Sequence, residues 1–147
     1  MGVKGKLIAS KEVKCGEHLI HDLFLTNSHH IPYISPSKIN RIDINEGEIG
    51  KIGTIMNCRY NEDGQEKIVK YVIEAIDHHK NSISRKVIEG DLLEFYSSFT
   101  FVSSCQNQWA TWTIEYEKKT EDTLEPLIFL DFILDMTKDI EAHLLKK

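Results

Sequence analysis

The chain is poor in residues that staple or interrupt small proteins. It has three cysteines, Cys15, Cys58 and Cys105, with no C-x-x-C pair among them. An odd count without paired spacing excludes a closed disulfide framework and a four-ligand zinc knot, and reduced thiols fit a cytoplasmic location. Three prolines and eight glycines, nowhere gathered with serine into a flexible tract, leave no linker, so residues 1–147 are expected to form a single domain. No segment approaches the ~20 apolar residues of a membrane span, and MGVKGKLIAS lacks the apolar run of a secretory leader. Stable membrane insertion is therefore not expected. Positive charge is also scarce: the net charge is −5 and the lysines are scattered. Without a basic stripe the chain is a poor partner for nucleic acid, whose phosphates need clustered Lys and Arg.

What is present is a succession of short alternating segments followed by one long helical one. Val3 to Val13 places Val3, Leu7, Ala9 and Val13 on one side and Lys4, Lys6, Ser10 and Glu12 on the other, as in a strand with one wet face. Glu17 to Leu25 carries Leu19, Ile20, Leu23 and Phe24 at helical spacing. SHHIPYISPSKI has room for only a short helical piece, expected at Pro36–Ile39 with Ser35 as its cap. Strands are then expected at Arg41–Asn45, Lys51–Asn61, Lys67–Ile76, Ile83–Glu89, Glu94–Ser103 and Trp109–Lys118, separated by turns such as that around Asp63-Gly64. Tyr96 and Phe99 differ in parity, and a bulge near Ser97-Ser98 would put both on one face. The order reads as an antiparallel meander.

From Leu124 to Leu145 the period becomes helical, with Pro126 in the first turn. Phe129, Phe132, Ile133, Met136, Ile140 and Leu144 share one broad arc, opposite Asp131, Asp135, Lys138, Asp139 and Ala142. So wide an apolar arc needs a large partner, and the meander is the only candidate. Pockets form between helices and sheets. The expected class is α+β, a curved antiparallel sheet against a long C-terminal helix.

One stretch invites a different reading. EGEIGKIGTI spaces glycines three apart at 47, 50 and 53, like a phosphate loop. Such a loop opens a helix whose N-terminus holds the anion. Here KIGTIMNCRY follows and alternates as a strand. The glycines are better explained by a bend between strands, with a bulge or close contact at Gly53.

The segment HHIPYISPSKINRIDINEGEIGKIGTI resembles the signature region of the plant major latex proteins, a branch of the birch-pollen-allergen and pathogenesis-related class-ten superfamily. VIEGDLLEFY, WTIEYEK and DFILDMTKDIEAHLL are similar to further family segments in the same order. The resemblance covers essentially the whole chain. It implies a helix-grip (START-like) fold: seven antiparallel strands, two short helices and a long C-terminal helix around a hydrophobic cavity. It also implies a cytoplasmic plant protein linked to defence and stress, which carries or sequesters lipids, sterol-like compounds or specialised metabolites without a cofactor.

In this architecture core and cavity wall are one surface, so the ligand-contacting residues are sought on inward-facing positions. They are Phe24 and Ile34 near the N-terminal helices, then Met56, Tyr71, Ile73 and Arg85 on the middle strands. Tyr96, Phe99, Phe101, Trp112 and Ile114 follow on the last strands, and Phe132, Met136, Ile140 and His143 on the long helix. Two of these are polar. His143 lies on the apolar arc and must find a partner: backbone or water at the core edge, or a ligand headgroup. Arg85 shares the parity of Ile83 and Val87. Inward, it needs an anion or a carboxylate such as Glu89; the favoured placement is the rim, its stem packed down. His18, His21 and Asp22 have metal-like spacing but no completing ligand, so no metal is expected and both histidines are read as solvated. Cys58 is expected to point inward as an inert thiol.

The leading function is a binder and carrier of small hydrophobic or amphipathic molecules. The alternative is a cofactor-free isomerase or cyclase using the same cavity, with His143, Tyr71 and Glu89 as candidate acid–base groups. No nucleophile and base can be paired by motif.

Overall fold

A computed structural model describes residues 2–146. Strand β1 (Val3–Glu12) is followed by helix α1 (Glu17–Thr26), a 3-10 turn at Ser28–His30 and the short helix α2 (Ile31–Ile34). Strands β2 (Ile39–Glu46), β3 (Ile55–Glu62), β4 (Gln65–Asp77) and β5 (Ser82–Gly90) come next. A second 3-10 turn (Asp91–Glu94) leads to β6 (Tyr96–Gln106), β7 (Trp109–Lys118) and α3 (Leu127–Leu145). The strands form one seven-stranded antiparallel sheet in the order β1-β7-β6-β5-β4-β3-β2. The chain leaves one edge after β1, crosses beneath the sheet as α1 and α2, and re-enters at the opposite edge. This is the helix-grip fold.

The period-two patterns dictate which face is buried. Met56, Cys58 and Tyr60 on β3, Ile83, Arg85 and Val87 on β5, and Phe99, Phe101 and Ser103 on β6 all point inward. On α3 the buried side chains are Phe129, Leu130, Phe132, Ile133, Met136, Thr137, Ile140 and Glu141. Each fully buried aromatic or aliphatic side chain contributes ~1.5–3 kcal/mol of transfer free energy, so this face fixes the helix against the concave sheet. Trp112 Nε1 donates to Thr137 Oγ1 at 2.9 Å, tying β7 to the middle of α3. Glu141 accepts from Lys11 Nζ at 2.7 Å and from the Lys14 backbone N–H at 2.6 Å, tying its far end to β1.

Bulges bend the sheet and change parity. The register shift between Tyr96 and Ser98 is the bulge that lets Tyr96 and Phe99 face inward together. Four others were not expected, two between β2 and β3 and two between β4 and β5; the latter two change what faces inward. One lies between Ile73 and Ala75 and turns Ala75 to solvent. The second lies between Lys70 and Tyr71, where Tyr71 pairs with Val87 but Lys70 with Glu89. The extra residue, Ile88, sends Glu89 outward.

Two local expectations are corrected. The short helix is Ile31–Ile34, with Pro32 in its first turn, not Pro36–Ile39. A proline is tolerated there because its missing N–H would have no helical partner. Ser35 ends that helix instead of capping one, and its hydroxyl donates to Asp139 Oδ2 at 2.6 Å. Strand β3 begins at Ile55, not Lys51, because residues 47–54 fold into a loop. Gly47 there has φ 95°, and a Cβ on it would stand 2.9 Å from Thr54 Cα. No helix follows the glycines, so the loop is a bend between β2 and β3 and not a phosphate cradle.

Candidate functional site

Two larger spaces lie between α3 and the sheet among the described residues. The inner one is a cavity of about 60 Å³. Its walls come from α1 and the following turn (Phe24, Ser28), α2 (Ile31), the middle strands (Tyr71, Arg85, Phe101, Trp112) and α3 (Phe132, Met136). Cys58 lines it as well, and burial pushes its thiol up to about 12, so it stays protonated and unreactive. Burial also raises the Tyr71 hydroxyl well above its ordinary range.

Arg85 is the one charged side chain lining this cavity among the described residues. It is 5 % exposed, so the rim placement is corrected: its neighbours in register, Ile73 on β4 and Phe101 on β6, hold it over the concave face. Its Nη1 donates to the Ser103 hydroxyl at 3.0 Å and to the Ile83 carbonyl at 3.3 Å. The guanidinium carbon lies 5.3 Å from the Phe24 ring centroid, 5.5 Å from that of Phe101 and 5.4 Å from that of Trp112. No carboxylate reaches it among the described residues. Glu89, the expected partner, faces outward and pairs with Lys70 at 3.2 Å. Desolvation lowers the Arg85 pKa to about 10, still protonated at neutral pH.

The outer space is a groove of about 630 Å³ between the start of α3, the 3-10 turn at Asp91–Glu94 and the adjoining ends of β3, β4 and β6. Phe95, Leu124, Leu127 and Ile128 line it and are all more than half exposed, an apolar patch at the mouth of a depression. The Tyr96 hydroxyl donates to the Leu124 carbonyl at 2.7 Å, and Glu125 accepts from Tyr116 and Lys118, which holds the segment leading into α3. Glu62 lines the floor with its Oε2 unpartnered. Burial holds its carboxyl above the ordinary range, against the nearby charge of Lys67.

Tyr60 and Phe129 line both spaces and form the partition between them. Their ring centroids are 6.0 Å apart, edge to face, and Tyr60 also lies 5.1 Å from Phe132. Phe129 continues the contact to Phe101 at 5.6 Å. A single aromatic chain therefore runs from the Arg85 cage to the groove.

Of the residues singled out in the sequence, Phe24, Tyr71, Arg85, Phe101, Trp112, Phe132 and Met136 line the inner cavity. Tyr96 lines the groove. Met56, Ile73, Phe99, Ile114 and Ile140 are buried in the core and line neither space, and Ile34 packs beside them. His143 is half-buried near the end of α3 and borders neither. His21, read as solvated, is 4 % exposed. Its Nε2 lies 3.1 Å from His78 Nδ1 and its Nδ1 has no partner, and burial followed by His78 lowers its pKa. No group of three metal-ligating side chains occurs among the described residues. Sequence reasoning missed Tyr60 and Phe129 as cavity walls, although both sit on its own inward positions.

The curved sheet closed on a long helix, with aromatic-lined space between, defines a helix-grip protein of the kind that holds small molecules. The chain belongs to the pathogenesis-related protein Bet v 1 family, which it matches over residues 3–147. It is 38% identical to MLP-like protein 43 of Arabidopsis thaliana over 147 residues, 96% of this chain and 93% of that protein. The crystal structure of ginseng major latex-like protein 151 from Panax ginseng superimposes with a TM-score of 0.94 at 41% identity, covering 97% of this chain and 98% of that one. Norcoclaurine synthase from Thalictrum flavum, in complex with dopamine and hydroxybenzaldehyde, gives a TM-score of 0.81 at 19% identity over 99% of this chain and 88% of that one; at that identity the likeness is one of fold. No helix among the described residues is long and apolar enough to cross a membrane.

Proposed function

We propose that the protein binds and carries, or sequesters, small hydrophobic or amphipathic molecules in the space between α3 and the sheet. The observation that carries this reading is the groove of about 630 Å³, within the ~300–1,000 Å³ of ligand sites, meeting the inner cavity at the Tyr60–Phe129 partition. A tail laid along the groove and past that partition gains ~25 cal/mol per Å² of apolar surface buried. Family membership supports the reading, since Bet v 1 proteins in general bind ligands. The unpaired, buried cysteines are consistent with a cytoplasmic carrier, and a link to plant defence or stress belongs to the same reading. Carriage is favoured over isomerase or cyclase chemistry in the inner cavity because burial drives the Cys58 and Tyr71 protons there away from neutrality.

The test is native mass spectrometry of gently purified protein, followed by organic extraction of what it releases. The expected result is a stoichiometric small molecule with an apolar tail. A protein that comes off empty, and that takes up no medium-chain amphiphile afterwards, would refute the carrier.

A further inference from the structure

A guanidinium offers five N–H donors. Both hydrogen bonds of Arg85 leave from Nη1 and reach neutral acceptors, the Ser103 hydroxyl and the Ile83 carbonyl. Nε and Nη2, which together form the side-on fork of the group, have no partner among the described residues, and Arg85 lines the cavity. A buried charge with no countercharge is among the costliest arrangements in a protein interior. The three aromatic faces around it offset part of that cost, but they leave the fork empty. A fork of two parallel N–H donors matches the two oxygens of a carboxylate. The space beside it, about 60 Å³, is on the scale of a headgroup, and the aromatic chain Phe101–Phe129–Tyr60 leads from there to the larger groove.

We propose that Arg85 is the headgroup anchor of this cavity and that the molecule it holds is an acidic amphiphile, with a carboxylate at one end of an apolar tail. The carboxylate lies on the Nε–Nη2 fork. The tail passes the Tyr60–Phe129 partition, whose rings turn aside, and lies in the groove. The proposal rests on the carrier reading, which by itself leaves the headgroup open.

The experiment compares three probes of one tail length, dodecanoate, 1-dodecanol and dodecyl phosphate, by calorimetry below their aggregation limits at pH 7.5. Transfer from water alone favours the alcohol, because the carboxylate loses more hydration. The proposal predicts the reverse: dodecanoate binds the unaltered protein about tenfold or more tighter than dodecanol, the worth of a charge-assisted pair of hydrogen bonds. In Arg85→Met the ratio of dodecanoate to dodecanol affinity falls to one or below, and in Arg85→Lys part of the preference returns. The unaltered protein alone already decides the matter should Arg85→Met fail to fold. Equal or tighter binding of dodecanol overturns the anchor and leaves the carrier standing. Tighter binding of dodecyl phosphate than of dodecanoate overturns the carboxylate assignment. Binding of none of the three overturns the carrier reading and this one with it.

Discussion

The inner cavity and the outer groove are built from the same helix and sheet, yet they solve opposite problems. The cavity is small, lined by aromatic and aliphatic side chains, and holds a cation with no countercharge among the described residues. The groove is about ten times larger, rimmed by exposed apolar side chains, and holds a carboxylate with an unpartnered oxygen. Each region is incomplete in its own way: one lacks an anion, the other a cover for its apolar surface. A single amphipathic molecule would complete both, and Tyr60 and Phe129 are the only side chains that touch both spaces among the described residues.

The two spaces lose their separate character most completely when the partition is removed. Phe129→Ala deletes a ring that contacts Tyr60, Phe99, Phe101 and Phe132. It is expected to destabilise the protein by about 3–5 kcal/mol in urea unfolding and to merge the two spaces. A loss under ~1 kcal/mol would mean that the surroundings collapse around the ring's place and no partition exists.

Next in size is the buried cation. Arg85→Met replaces an uncompensated charge by an apolar side chain of similar length. The ligand-free protein is expected to be unchanged or up to about 2 kcal/mol more stable. A loss of that size would show that the aromatic cage alone makes the cation favourable.

Glu62 and His21 sharpen the contrast through pH. The Glu62 carboxyl is raised by folding, so its contribution is complete below its ordinary value of 4.5 and is lost as pH rises through the folded value. Glu62→Gln should therefore stabilise the protein at pH 7 by about 1 kcal/mol and flatten the stability curve above pH 4.5. His21, beside the inner region, is lowered by folding. Its contribution is present above its ordinary 6.5 and is lost as pH falls through the folded value, so His21→Gln should remove part of the acid loss below that point. Thermal melts of the two variants from pH 4 to pH 8 should change slope in opposite senses, and parallel curves would refute the assignment. The smallest effect on stability belongs to the rim: Phe95→Ser, at a side chain 55% exposed, should shift stability by less than ~0.5 kcal/mol while weakening the binding of apolar-tailed probes.

Much of this was legible in the sequence, for reasons that differ by region. Period-two alternation placed Tyr71, Phe101 and Trp112 on the inner face, and helical spacing placed Phe132 and Met136 opposite them. The bulge at Tyr96–Ser98 could be inferred because two large aromatics of unlike parity both needed burial. The bulges that turn Ala75 and Glu89 outward left no such signature, and the one at Ile88 takes Glu89 away from Arg85. The depth of Arg85 was equally hidden, since parity tells the face but not whether a side chain sits at the rim or over the centre. His143 has the helical angle of the cavity wall, but it lies beyond the wall along the helix axis, a coordinate that angle does not carry. The groove is assembled from segments near residues 60, 92 and 124 that only the fold brings together. Leu124, Leu127 and Ile128, apolar residues outside the buried arc of α3, are its one local signal.

The most direct test is nuclear magnetic resonance of ¹⁵N-arginine-labelled protein titrated with dodecanoate carrying a ¹³C-labelled tail. The expected result is a large shift of the Arg85 Nε–H resonance at saturation, with tail contacts to the rings of Phe101 and Phe129. An unmoved Arg85 resonance with tail contacts confined to Phe95, Leu124 and Ile128 would contradict it, since the amphiphile would then occupy the groove without reaching the cation.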